Sequence, residues 1–243
     1  MKLWKSWVIA TKDFSIFRKR KRIIYTLIIL PFLISIGLPL VINSITGLDN
    51  PKAEIIALLN AFSFFYIILV YIQSSTLASY SILGEKIEQS LEPLLATPTT
   101  ESELLFGKTI ASFLPSVGVI YFGSIIFMVL SDAFTYNTIG YLFYPNLSMA
   151  FILLLAVPLS SILSIQLNVI ISSKVNDVRT ANQIGLLLFI PFIGVYLLLV
   201  TNIISLNIFN LFAIFIILFV IDAVLFYISK ATFRRDEILT KWK

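Results

Sequence analysis

Apolar residues fall into six long blocks along this chain, near 23–45, 54–83, 104–130, 148–173, 182–201 and 207–229, with polar residues gathered between them. Nothing inside the blocks alternates with a period of two, the pattern of a lipid-facing β-strand. A helix also satisfies its own backbone in hydrocarbon, and about 20 residues of it cross a bilayer core. The blocks therefore predict an all-α integral membrane protein with six transmembrane helices. One domain covers 1–243: an interfacial helix (1–22), spans one and two (23–83), a polar region (84–103), spans three to six (104–229) and a tail (230–243).

The opening segment is patterned differently. Leu3, Trp4, Trp7, Val8, Phe14 and Phe17 recur at helical spacing, with Lys2, Lys5, Lys12 and Asp13 between them. That describes an amphipathic helix lying among the lipid headgroups, its tryptophans at the interface. The basic run Arg18 to Arg22 then anchors the first span. It is too long for the start of a signal peptide, and no small-residue cleavage site follows.

Composition supports the membrane reading, with 58% hydrophobic and 13% charged residues. The chain has neither cysteine nor histidine. Disulfides, thiolate or imidazole metal sites and His- or Cys-based catalysis are thereby excluded, so no metal ligands and no catalytic residues are expected. Charge supplies orientation. Of the 18 Lys and Arg residues, 17 lie in or beside the connectors on one side, and Lys52 alone lies on the other. This places both termini and region 84–103 in the cytoplasm of a cell-membrane protein. The net charge of +5 is then an orientation signal and not a nucleic-acid footprint.

Region 84–109 carries seven charges, Glu85, Lys86, Glu88, Glu92, Glu101, Glu103 and Lys108. At roughly 2.5–3.5 kcal/mol each, burying them at mid-bilayer would cost on the order of 20 kcal/mol, so the segment stays out of lipid. Local signals divide it. Asn50 and Pro51 start the second span, and nothing but Gly84 interrupts the helix before Gln89, a length of about 60 Å at 1.5 Å per residue. It should project beyond the membrane. Ser90 can cap a short new helix, with Glu92 near its positive end and Leu91, Leu94 and Leu95 along one edge. Pro98 ends that piece. Thr100-Glu-Ser-Glu103 is a capping box that launches the third span. Gly107-Lys-Thr109 ends like a phosphate-binding loop, but Ser102 stands where the first glycine should be, and the segment opens a helix. No nucleotide site is expected here.

Glu85-Lys86, Ser90-Leu-Glu-Pro-Leu-Leu95, Thr97-Pro98, Glu103-Leu-Leu and Gly107-Lys108 together resemble the signature of ABC-2-type permeases, the membrane subunits of ATP-binding-cassette exporters. Phe106, Ile87 and Gln89 depart from the commoner residues. The resemblance implies that the short helix is a cytoplasmic coupling helix docking into a separate ATPase subunit, which would hold the ATP and Mg. It also implies a second permease subunit, identical or different, with substrate moving between the two. Glu85, Glu88, Ser90, Leu91, Glu92, Leu94, Leu95 and Pro98 are then the expected ATPase-facing residues. The leucines would supply apolar contact and the glutamates would pair with basic groups on the motor.

Several residues stay open to two readings. Gln73, Ser74 and Thr76 in the second span, and Asn182 and Gln183 at the start of the fifth, either line a polar pathway or serve packing and capping. Ser160, Ser161, Ser164, Gln166 and Asn168 read as packing in the fourth. Asp222, deep in the sixth span, is either a proton or cation site or the partner of an amide or hydroxyl on a neighbouring helix. Pro158 and Pro191 suggest kinks. A secondary transporter driven by an ion gradient would want repeated halves and more midplane charge. A non-transporting scaffold is the remaining alternative.

Overall fold

The computed structural model describes residues 3–46, 52–87, 99–175, 177–201, 203 and 207–232, and every regular element among them is helical. In chain order these are α1 (Leu3–Lys19), α2 (Lys21–Thr46), α3 (Lys52–Ile87), α4 (Glu101–Ile139) and α5 (Leu147–Phe151). A π-helical turn (Ile152–Ala156) follows, then α6 (Val157–Lys174), α7 (Val178–Leu187), α8 (Ile190–Val200) and α9 (Ile208–Thr232). Among the described residues, five helical stretches are long and apolar enough to cross a membrane, and α7 with α8 makes a sixth if that bent pair counts as one span.

The bend has a clear cause. α7 and α8 meet at 42° across Leu188 and Phe189. Pro191 sits just inside α8, where it lacks the N–H that would continue the ladder back into α7. Pro158 acts similarly on the fourth span. Its missing N–H would have bonded Leu154, and the turn before it widens so that Val157 donates to Ile152 instead. One boundary differs from expectation. The third span was expected to end at 130, whereas α4 runs on to Ile139. The polar residues after 130 lower hydropathy without breaking a helix. The stop comes at Gly140, whose φ of 88° is the left-handed cap that glycine adopts most easily.

α3 is the hub. Of its most apolar window, 67% is buried within the protein, against 17% for α9 and 22% for α2. Its partner along the whole bundle is α6, and the two run parallel. Ser160 donates to the Ile67 carbonyl (3.1 Å), Ser164 to the Tyr71 carbonyl (2.7 Å) and Asn168 to Ser75 Oγ (2.8 Å). Each step is four residues on both helices, one turn per rung, so a single face of each carries the ladder. Ser74 and Ser161 add a hydroxyl pair at 2.6 Å. Small residues let the backbones approach and the polar atoms satisfy one another, the usual solution where lipid offers no hydrophobic drive. α7 joins the same seam. The Gly185 carbonyl accepts from Tyr71 at 2.9 Å, and a Cβ at Gly185 would stand 2.9 Å from Ser75 Oγ.

Candidate functional site

The expected coupling segment is bracketed by the last turn of α3 and the first turns of α4. Its own residues Glu88, Ser90, Leu91, Glu92, Leu94, Leu95 and Pro98 lie outside the described residues. The capping box is present: Glu103 N–H donates to Thr100 Oγ1 (3.2 Å), and Thr100 N–H donates to the Glu103 carboxylate (3.1 Å).

Against these flanks, and chiefly against α4, packs the amphipathic helix. α1 presents two faces. Leu3, Trp4, Trp7 and Val8 point away from the protein, the surface expected to meet lipid. The opposite face, through Ser6, Ile9, Ala10, Asp13 and Phe17, packs against the bundle, so Phe17 belongs to the inner face and not to the lipid stripe. Contact with α4 is close. Ser6 donates to the Glu103 carbonyl at 2.9 Å, and a Cβ on Gly107 would lie 2.7 Å from the Ser6 carbonyl oxygen.

Four charges meet where α1, α3 and α4 converge. Glu85 receives Lys12 on one carboxylate oxygen (2.7 Å) and Lys108 on the other (2.6 Å). Lys108 also lies 3.6 Å from the Asp13 carboxylate and donates to the Ser81 carbonyl at 2.5 Å. Ser81 in turn donates its hydroxyl to Asp13. Two carboxylates and two ammonium groups give a neutral cluster. Only Lys12 reaches solvent, with 41% of its side chain exposed against 2% for Lys108. Burial lifts the Asp13 carboxyl above its usual range, opposed by the Lys108 charge and the Ser81 hydroxyl. Glu85, expected on the ATPase-facing surface, is placed in this buried cluster. The glutamate and lysine on either side of the segment thus close its two ends upon each other and upon α1.

The remaining candidates disperse. Gln73 is buried and donates to the Thr26 carbonyl of α2 at 3.1 Å. Ser74 is spent on Ser161, and half-buried Thr76 donates to its own helix at Ile72. Asn182 accepts from Ser79 at 2.8 Å, a hydroxyl also within 2.6 Å of the Asn168 amide oxygen. One proton serves both contacts in turn. Gln183 is exposed. Asp222 is buried on α9, and neither carboxylate oxygen has a hydrogen-bond partner among the described residues. The neighbouring amide or hydroxyl expected for it is not found there.

A family model described as ABC-2 family transporter protein matches residues 18–176. The chain belongs to the ABC-2 transporter family. The match begins at the basic anchor of α2 and runs through the end of α6, so it contains the whole bracketed segment and the α3–α6 ladder. No curated protein matches the chain. ABC-2 membrane proteins are typically non-catalytic transmembrane subunits, and this permease domain carries no cluster of His, Cys, Asp or Glu able to hold a metal among its described residues. Sequence reasoning missed Asp13 and Lys108 as members of the charge cluster around Glu85. The signals were present: an aspartate on the face of α1 away from the tryptophans, and a lysine with a glycine beside it seven residues into a membrane helix.

Proposed function

We propose that this ABC-2 permease couples ATP hydrolysis on a separate ATPase subunit to outward movement of substrate across the cell membrane. The segment between α3 and α4 is the coupling helix. Leu91, Leu94 and Leu95 dock it, Glu88 and Glu92 orient it against basic groups, and Ser90 and Pro98 set its ends. ATP and Mg belong to the motor, and a second permease completes the pathway. The basic end of the bundle faces the cytoplasm, a reading supported by the distribution of Lys and Arg.

The observation that carries this reading is the neutral cluster of Lys12, Asp13, Glu85 and Lys108. A loop needing only solvation has no use for buried ion pairs at both its ends, where desolvation is expensive unless geometry repays it. A lever does. Force on the segment passes at once to α3, α4 and α1, and α3 delivers it through the ladder to α6. Rigid tilting of these helices would then switch access between the two sides.

Glu92→Arg tests the docking. It should leave the permease folded and monodisperse while abolishing retention of the ATPase in a detergent pull-down and ATP-driven transport in vesicles. Undiminished retention together with normal transport overturns the proposal.

A further inference from the structure

α4 and α9 both pack on α6. Between them, floored by Ile162, Gln166 and Val169 of α6, lies a cavity of about 390 Å³. Phe106 of α4 and Phe226 of α9 stand exposed at its rims, while Val169 and Ser229 are buried within it. A second cavity of about 390 Å³ shares Phe106, Thr109 and Ile162 with it and continues along α4, with Trp7 of the interfacial helix at its flank. Ser102, Leu105, Phe106, Thr109, Phe113 and Leu114 recur at three- and four-residue steps, so one face of α4 lines both. The groove follows that face for about 18 Å, at 1.5 Å per residue.

The lining makes almost no polar demand. Among the described residues, no Asp, Glu, Lys or Arg borders either cavity. Thr109 and Ser229 give their hydroxyl protons to their own helices, at the Leu105 carbonyl (2.8 Å) and the Phe226 carbonyl (3.1 Å), and the carbonyl oxygen of Gln166 is buried. What remains is aliphatic and aromatic surface, which favours hydrocarbon over water or a charged group. α4, α6 and α9 belong to stretches long enough to cross a membrane, so the medium beside the groove is lipid. One leaflet supplies about 15 Å of hydrocarbon, half of a 30 Å core. The groove matches that depth, whereas a further spanning helix would need the whole of it. Trp7, on the face of α1 expected to meet lipid, sets the groove in the leaflet on the α1 side.

We propose that this groove holds one acyl chain of a phospholipid from that leaflet, its methylenes against Phe106, Ile162 and Phe226 and its headgroup beyond Ser102. The chain fills the gap between α4 and α9 that α6 alone does not close. The proposal rests on the permease reading only in naming that leaflet the cytoplasmic one. Occupancy itself needs neither ATPase nor transported substrate.

Phosphatidylcholine carrying a diazirine midway along one acyl chain is the probe. The full chain is reconstituted into vesicles containing it and irradiated, and labelled residues are located by mass spectrometry. Ile162 and Thr109, which line both cavities, should be labelled together with Phe219, which is 57% exposed on α9 and lies outside the groove. Mixing with excess unlabelled lipid just before irradiation should clear Phe219 first. Ile162 and Thr109 should then keep at least about tenfold more label, because a held chain leaves at its own off-rate. Ile162→Trp should fill the groove and clear Thr109 while sparing Phe219, whose labelling reports that the variant is inserted. Label on Phe219 with none on Ile162 and Thr109 overturns the proposal, since the groove is then closed or covered by protein. Loss of label from all three in step also overturns it, since the lipid is then ordinary boundary lipid. Both results are read on the unaltered protein. An inserted Ile162→Trp protein with Thr109 still fully labelled is equally fatal. Failure here would leave ATPase retention intact, and failure of ATPase retention would leave this labelling measurable.

Discussion

Among the described residues, two places that bury carboxylates are solved in opposite ways. At the junction of α1, α3 and α4, Asp13 and Glu85 are met by Lys12, Lys108 and the Ser81 hydroxyl. In the seam between α6 and α9, Asp222 is met by no polar group among the described residues. The first arrangement is complete within one subunit and holds three helices together. The second is left unpaired among the described residues. A buried carboxylate that is paired ties elements together, and one that is left unpaired carries its desolvation cost without that return.

The largest expected effect breaks the paired site. Lys108→Met keeps the length of the side chain but strands Asp13 and half of Glu85 in a buried setting. Removing one member of a buried pair typically costs about 3–5 kcal/mol. Set against a total stability of about 5–15 kcal/mol for a folded domain, this is a severe loss, visible as a lowered unfolding midpoint in detergent. Lys12→Met is the control. Its side chain is 41% exposed, water can replace it at Glu85, and the loss should stay near 0–1 kcal/mol. Adding Asp13→Asn to Lys108→Met should recover part of the stability. Equal losses from the two lysine changes would mean that the cluster is not the junction described.

A smaller effect separates the two faces of α6. Asn168 lies on the α3 side and makes two donor bonds, to Ser75 Oγ (2.8 Å) and to the Ser164 carbonyl (3.0 Å), while accepting from Ser79. Gln166 borders a gap between α4, α6 and α9, and its buried carbonyl oxygen has no partner among the described residues. Asn168→Leu should cost about 1–2 kcal/mol, since it takes the amide donor from Ser75 and leaves Ser79 with Asn182 alone. Gln166→Leu should be close to neutral. Unfolding of both variants in the same detergent compares them directly, and equal costs would erase the distinction between a bonded seam and an open one.

These contrasts also mark what sequence could and could not disclose. The spans were legible because bilayer thickness fixes helix length whatever the fold, and the capping box at Thr100 and Glu103 was legible because it closes within four residues. The end of α4 was missed, since hydropathy reports lipid contact and not helicity, and only Gly140 stops the backbone. The charge cluster was hidden for a different reason. Lys12 and Glu85 are separated by 73 residues in the chain, and nothing local distinguishes a glutamate that turns inward from one that faces solvent. Glu85 sits in a charged stretch and was assigned to the surface with its neighbours. Asp222 was recognised as unusual from its position alone, but whether it had a partner depended on which face of α9 meets α6.

The smallest expected effect is the most diagnostic of the comparison. Asp222→Asn removes a charge that has no counter-charge among the described residues, so the folded state loses no attraction and sheds a desolvation penalty. Stability should change by less than about 1 kcal/mol, or rise, the reverse of what Lys108→Met does at the other site. A loss of several kcal/mol from Asp222→Asn would show that its carboxylate is already engaged in holding α9 to the bundle. The two sites would then be alike, each carboxylate engaged in holding helices together.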